Sequence, residues 1–400
     1  SNTQVPKIIG TARIYELTND VDYKKISTFY WDRIVNHHTY LNGGNSNHEH
    51  LGDPDVLNDR LSINTSETCN TYNMLKLTQH LFSWSGDASY FNFYERALYN
   101  HILASQNPDD GMVCYFIPLE SGSEKAFSTP FDAFWCCVGT GFENHTKYAE
   151  NVFFKANDGG LFVNLFIPTA LQWKEKGMNI RMETKFPEQE TVKITFEGKK
   201  QRFPLHIRYP KWTKDISVEV NGVSKQVEGE PGAYFTLNEE WGTGVELTFR
   251  MPMSIYTESM PDNANRIGVF YGPVLLSASL GKEKPEVYDL PVFTSQNIST
   301  RPINFIPLYA IHGQKHAVYF DVFSPSEWKE KSKEYNALMA KRDAFEARVV
   351  DRLRIGEMQP ERDHELEAFN STTVNLSGCK YRDAFNGWSS FNVKSQAHAP

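Results

Sequence analysis

The chain is short of the features that mark several large protein classes. Its five cysteines, Cys69, Cys114, Cys136, Cys137 and Cys379, are too few and odd in number for a disulfide framework. No apolar run approaches the roughly 20 residues that cross a membrane as a helix. No dense Lys/Arg cluster occurs and the formal net charge is −8, which disfavours nucleic acid as a partner. Internal repeats and low-complexity segments are also missing.

What is present fits a packed, multidomain protein. Four hundred residues suffice for two or three domains. Hydrophobic residues make up 40% and charged ones 22%, a globular balance. Aromatics reach 14%, with 19 Tyr and 8 Trp. Aromatic faces stack on sugar rings, so this richness suits a carbohydrate-handling protein; a large aromatic core explains it equally.

The first 157 residues read as helical. Ile14 and Leu17, a polar Thr-Asn-Asp break, then Ile26, Phe29, Tyr30 and Ile34 predict a helix pair. Thr65 or Ser66 is the expected cap of a helix carrying Met74, Leu75, Leu77, Leu81 and Phe82 and stopping before Gly86. Asp87 is the expected cap of the next, with Tyr90, Phe91, Tyr94, Leu98 and Ile102 at helical spacing. A further helix is expected after Cys136-Cys137, running to Val152. Long polar loops, 41–66 and 106–134, separate these helices, and long ordered loops often carry function.

Near residue 160 the period becomes two. Val192, Ile194 and Phe196 alternate with polar residues, as do Leu205, Ile207 and Tyr209, and Val245, Leu247 and Phe249. Ile216, Val218 and Val220 end at Asn221-Gly222, a hairpin turn. Residues 158–298 therefore read as an antiparallel β-sandwich. Residues 299–400 read as a second β-rich domain, with HAVYFDVF as a strand, one charged helix inserted from SEWKEK onward, and β structure at the C-terminal end. The fold class is α followed by β.

Two motifs carry chemistry. Adjacent cysteines strain a disulfide ring, so Cys136-Cys137 calls for another explanation. With Glu67 and Cys69 of SETCNTYNML, the pair can close a Cys3Glu site for a metal such as zinc. The other explanation is burial as small hydrophobes, a common fate of free cysteine. The loop LNGGNSNHEHLGDPD places Glu49 between His48 and His50 beside a Gly-Gly pair. His145 of ENH and the pair His37-His38 are further candidates, with packing or capping as their alternative roles.

HEHLG, SETCNTYNML, FWCCVGTGFENH and LFVNLFIPTAL, in that order, resemble glycoside hydrolase families 127 and 146, the β-L-arabinofuranosidase group. PLYAIH and WSSF extend the likeness along the chain, and the FWCCVGTG and NGGNSNHEH forms resemble the family 146 branch more closely. The resemblance implies an (α/α)6 barrel followed by β-sandwich domains. Family members are much longer upstream, so only the C-terminal part of the barrel is expected within residues 1–157. The resemblance also implies Zn2+ bound by Glu67, Cys69, Cys136 and Cys137, with Cys136 as nucleophile and Glu49 as general acid/base. Substrate contact from His48, His50 and His145 is a weaker expectation; His48 stands where the family pattern has Arg. The implied partner is an oligosaccharide or plant polysaccharide containing L-arabinofuranose. The implied location is periplasmic or extracellular in a glycan-degrading bacterium, with the cytoplasm as the alternative. A competing class is a non-catalytic or truncated carbohydrate-binding protein whose zinc is structural. A polysaccharide lyase on the same scaffold would leave the cysteines without a role.

Overall fold

Asn19 and Asp20 divide the first two helices. In the computed structural model, which describes residues 2–354 apart from 296–297 and 300–301, α1 spans Gln4–Thr18 and α2 spans Val21–His37. Asn19 closes α1 in the left-handed conformation, and the Asp20 carboxylate caps α2 through the Asp22 N–H. Trp31, Ile34, Val5 and Ala12 face the core, whereas Ile14, Leu17, Ile26 and Phe29 of the expected apolar stripe are exposed. The helices turn a narrower face toward α3, Thr68–Ser85, than the periodicity predicts.

Gly86 ends α3 with positive φ, and the Asp87 side chain caps α4, Ala88–Ala97, as expected. α4 runs on into one wide turn at Leu98–Ile102. The expected cap of α3 is corrected: Glu67 is the N-cap residue, and neither Thr65 nor Ser66 donates or accepts there. α5 also differs from expectation. It spans Cys136–Asn144, starting on the cysteine pair and stopping well before Val152.

Three main sheets follow. The first contains Phe153–Lys155, Leu161–Val163, Gln201–Arg208 and Tyr234–Trp241. Leu161–Val163 pairs parallel to Leu205–Ile207, so the expected purely antiparallel sandwich is corrected at this position. The second sheet has six antiparallel strands, including Thr191–Glu197 and Glu246–Arg250. Its Asn221-Gly222 turn has positive φ at both residues, as a tight hairpin requires. Val192, Ile194, Phe196, Leu205, Ile207, Val218, Leu247 and Phe249 all point into one core shared with α1–α4. At about 25 cal/mol per Å2 of apolar area buried, this shared core is the main force holding helices to sheets.

The third sheet begins at Ile255–Ser259 and pairs Val274–Gly281 with Phe305–Pro307. Pairing thus crosses position 299, where a domain was expected to begin; alternation shows where strands lie but not which strands pair. HAVYFDVF is divided between two short strands, Lys315–Ala317, which starts one residue before it, and Phe320–Asp321, rather than forming one. The charged helix is present as α6, Pro325–Arg354. The β structure expected after it, with Cys379 and WSSF, lies outside the described residues. No described helix is long and apolar enough to cross a membrane.

The two long loops rest on this third sheet. Tyr40, Leu41, Leu57, Cys114, Ile117 and Leu119 share a buried cluster with Phe270, Leu275, Leu308 and Tyr319. The loops are also zipped together. Ser66 N–H donates to Ser46 O at 2.7 Å, Thr68 N–H to Tyr115 O at 3.0 Å and Ile117 N–H to Ser66 O at 3.2 Å.

Candidate active site and metal centre

Zipping these loops brings distant residues together. Glu67 and Cys69 enter at the start of α3, Cys136 and Cys137 at the start of α5. One donor atom from each of the four lies within 4.8 Å of all the others. The Cys136 and Cys137 sulfurs are 3.9 Å apart, and the Cys69 N–H donates to Cys137 Sγ at 3.4 Å. Cys69 and Cys137 are buried, while Cys136 is exposed. Both thiols of the pair occupy the first turn of α5, where the positive end of the helix dipole favours a thiolate.

The electrostatics of this cluster limit how many of its groups can be charged at once. Two unit charges 4 Å apart repel by about 4 kcal/mol at an effective dielectric of 20. Three thiolates and a carboxylate within 4.8 Å therefore cannot all ionise alone. Burial, reinforced by the charges of Cys69 and Glu49, pushes the Glu67 carboxyl up to about 8. The hydrogen bond with Cys137 draws Cys69 down to about 7, and the same contact drives Cys137 up. Burial also raises Cys136. Glu67 Oε2 is buried with no hydrogen-bond partner among the described residues. Three sulfurs and one unpartnered carboxylate oxygen, converging from two helix starts, fit a metal ion.

Glu49 sits on the adjoining loop. His48 and Glu49 both have positive φ, 48° and 63°, and are the central residues of a tight turn closed between Asn47 and His50. A non-glycine residue in this region costs about 1–2 kcal/mol, so the turn holds Glu49 at its tip under local strain. The Tyr115 hydroxyl donates to Glu49 Oε1, and Cys136 Sγ lies 3.3 Å from the same hydroxyl. One hydroxyl therefore joins the carboxylate to the exposed thiol. The Trp135 ring packs edge-on against Tyr115 at 6.4 Å and is half exposed, which sets an accessible aromatic ring beside the pair. Nothing in spacing or periodicity singles out Tyr115. Its place depends on the backbone pairing of 66–68 with 115–117.

The candidate histidines divide between the Glu49 turn and more distant places. His48 is exposed and bonds Asn47 Oδ1 at 3.0 Å, and His50 is exposed on the same turn. His145 follows the last turn of α5, the far end from the cysteines. It bonds the Tyr148 hydroxyl at 2.5 Å, burial lowers it to about 4, and it lines a cavity of about 320 Å3 with Val113, Val138 and Phe142. His37 pairs with Asp55 at 2.8 Å, and His38 is buried.

Residues 1–150 match the model of the β-L-arabinofuranosidase GH127 catalytic domain, and residues 160–253 match that of its middle domain. Residues 344–399 match DUF6805, a family of unknown function. No curated protein matches the chain. Among solved structures, the GH127 β-arabinofuranosidase BT3674 superposes with a TM-score of 0.66 at 21% identity, over 80% of this chain and 59% of that one. A structure described as a glycoside hydrolase gives 0.67 at 19% identity, over 79% and 65%. Ara127N-Se, a GH127 β-L-arabinofuranosidase from Geobacillus stearothermophilus T6, gives 0.63 at 17%, over 80% and 60%. These likenesses establish the fold, and the chain spans 59–65% of the length of the structures. The matches are to GH127; the nearer likeness to family 146 rests on the motif forms alone. The two GH127 models together span more than half of the sequence, and the chain belongs to the GH127 β-L-arabinofuranosidase family.

Proposed function

We propose that the chain carries the catalytic centre of a retaining β-L-arabinofuranosidase acting on glycans that contain L-arabinofuranose. The supporting observation is the shared Tyr115 hydroxyl. Two hydrogen-bond lengths place the Glu49 carboxylate and the Cys136 sulfur within roughly 6 Å of each other. A retaining glycosidase needs its acid/base and its nucleophile about 5–5.5 Å apart, on opposite sides of the anomeric carbon.

In the first step Cys136 Sγ bonds to the anomeric carbon as the glycosidic C–O bond breaks. The proton of the Glu49 carboxyl passes to the departing oxygen. In the second step Glu49, now a carboxylate, takes a proton from water. The water oxygen bonds to the anomeric carbon, the C–S bond breaks, and the configuration is retained. Tyr115 holds the carboxyl opposite the sulfur, and Trp135 offers a face for the sugar.

Zinc is the metal that fits this donor set, with Glu67, Cys69, Cys136 and Cys137 holding it. Sulfurs on a tetrahedral zinc with bonds of about 2.3 Å lie roughly 3.8 Å apart, and Cys136 and Cys137 stand 3.9 Å apart. Bound zinc would keep the nucleophile ionised near neutral pH, where a free thiol with a pKa of about 8.5 is mostly protonated.

The test has two parts. Protein purified under reducing conditions should contain one zinc per chain, and Cys136→Ser should lose hydrolysis of an aryl β-L-arabinofuranoside while keeping its fold. Unchanged turnover in that variant rejects the nucleophile. Glycan binding with tight zinc and no turnover by the wild type would favour the carbohydrate-binding alternative.

A further inference from the structure

The cluster has three sulfurs, and their surroundings differ in a way that bears on which of them attacks. Cys137 Sγ accepts the Cys69 N–H at 3.4 Å. Cys69 Sγ lies 2.9 Å from the Thr140 hydroxyl. Cys136 Sγ lies against the Tyr115 hydroxyl, whose proton is directed at Glu49, and against the Cys137 sulfur. Cys137 has a backbone donor in place and Cys69 has a hydroxyl within donating distance, whereas the exposed sulfur has no donor of its own among these contacts. A hydrogen bond donated to a thiolate is charge-assisted and draws electron density off the sulfur.

Thr140 stands one helical turn after Cys136 on α5, and its hydroxyl also reaches the Cys136 carbonyl at 3.2 Å. That hydroxyl has a single proton and two acceptors. At 2.9 Å the hydroxyl is within reach of the Cys69 sulfur and can donate to it, once that sulfur is held as a metal ligand, with no change of backbone. The α5 turn that begins at Cys136 therefore also carries a donor for the Cys69 sulfur.

We propose that Thr140 is a positioning residue: its hydroxyl fixes Cys69 as a resting metal ligand and leaves the nucleophilic character of the cluster to Cys136. This assignment rests on the zinc–thiolate reading above and extends it to a residue outside the four ligands. Partners of this kind change metal affinity by roughly 10- to 100-fold when removed.

The test is zinc competition against a chromophoric chelator, using the full chain and comparing wild type with Thr140→Val and Thr140→Ser. Valine keeps the shape and removes the hydroxyl; serine keeps the hydroxyl. The expected result is zinc binding weakened roughly 10- to 100-fold in the valine variant and nearly restored in the serine variant. If valine impairs folding, Thr140→Ala, which suits a helix, supplies the hydroxyl-free arm. Equal affinity in wild type and hydroxyl-free variant overturns the assignment, as does an equal loss in the serine and valine variants. A wild-type chain that takes up no zinc overturns both this assignment and the reading beneath it, so the wild-type arm tells the two failures apart.

Discussion

Replacing Arg208 by Met should come close to unfolding the protein. Arg208 ends the strand Gln201–Arg208 and is fully buried, as is Glu95 of α4. The guanidinium pairs with Glu95 Oε1 and donates to Asn164 O at 2.7 Å and to Asn92 Oδ1 at 3.2 Å. Trp212 donates to the second Glu95 oxygen at 2.8 Å. Methionine fills similar space but leaves a buried carboxylate without its cation. Breaking a buried pair from one side costs about 3–5 kcal/mol, and each buried acceptor left unpaired adds about 1–3 kcal/mol. A loss of roughly 5 kcal/mol or more is expected against a total stability of about 5–15 kcal/mol. Urea unfolding followed by tryptophan fluorescence measures it, and Glu95→Gln added to Arg208→Met should recover part of the loss. A loss under about 1 kcal/mol for the single variant would refute the reasoning. Helix α4 would then not depend on this ion pair for its hold on the sandwich.

Acid should destabilise the protein through two buried histidines. Burial, aided by the charge of Lys125, lowers His101 to about 3 and His316 to about 4, against 6.5 unfolded. Below pH 6.5 the unfolded chain binds protons that the native one refuses, so stability falls with pH. The expected loss is about 1.6 kcal/mol per histidine between pH 6.5 and 5, and a urea midpoint that stays flat over that range contradicts it. Tyr115→Phe should lower kcat/KM for an aryl arabinofuranoside roughly 10- to 100-fold, about 1.4 kcal/mol per factor of ten, with zinc content unchanged. Wild-type kinetics in that variant would remove Tyr115 from the mechanism. Gly44→Ala would place a methyl 2.2 Å from Ser66 Oγ and 3.1 Å from His101 Nδ1. A lower melting temperature, corresponding to about 1–3 kcal/mol, is expected, and an unchanged one would show that Ser66 can move away.

Much of the frame is legible in the sequence because local chemistry specifies it. Gly86 and Asp87 punctuate α3 and α4, and the alternation at Val192, Ile194 and Phe196 marks a buried strand face. The scarcity of thiols, five in the chain, draws the eye to Cys69, Cys136 and Cys137, while the full ligand set with Glu67 comes from the family resemblance. What escaped depends on long-range pairing. Tyr115 reaches Glu49 and Cys136 only because the loops zip at 66–68 and 115–117. The third sheet joins strands on both sides of position 299 with no periodic signal of who pairs with whom. His145 is near the cysteine pair in sequence, but a nine-residue helix of roughly 13 Å separates the two, with the cysteines at its start and His145 at its end. The cap of α3 differs from the expected Thr65 or Ser66 because Ser66, with φ of 60°, turns the chain so that the buried Glu67 takes the N-cap position and joins the cysteine cluster.

The central claim is that the Cys136 sulfur bonds to the sugar. Acid-quenching the zinc-loaded chain during turnover of an aryl β-L-arabinofuranoside, then weighing its peptides, tests this directly. The account predicts one pentosyl unit on the peptide containing Cys136, and none in Cys136→Ser. Turnover without that adduct, an adduct on Glu49 or Glu67, or no turnover by the zinc-loaded chain would contradict it.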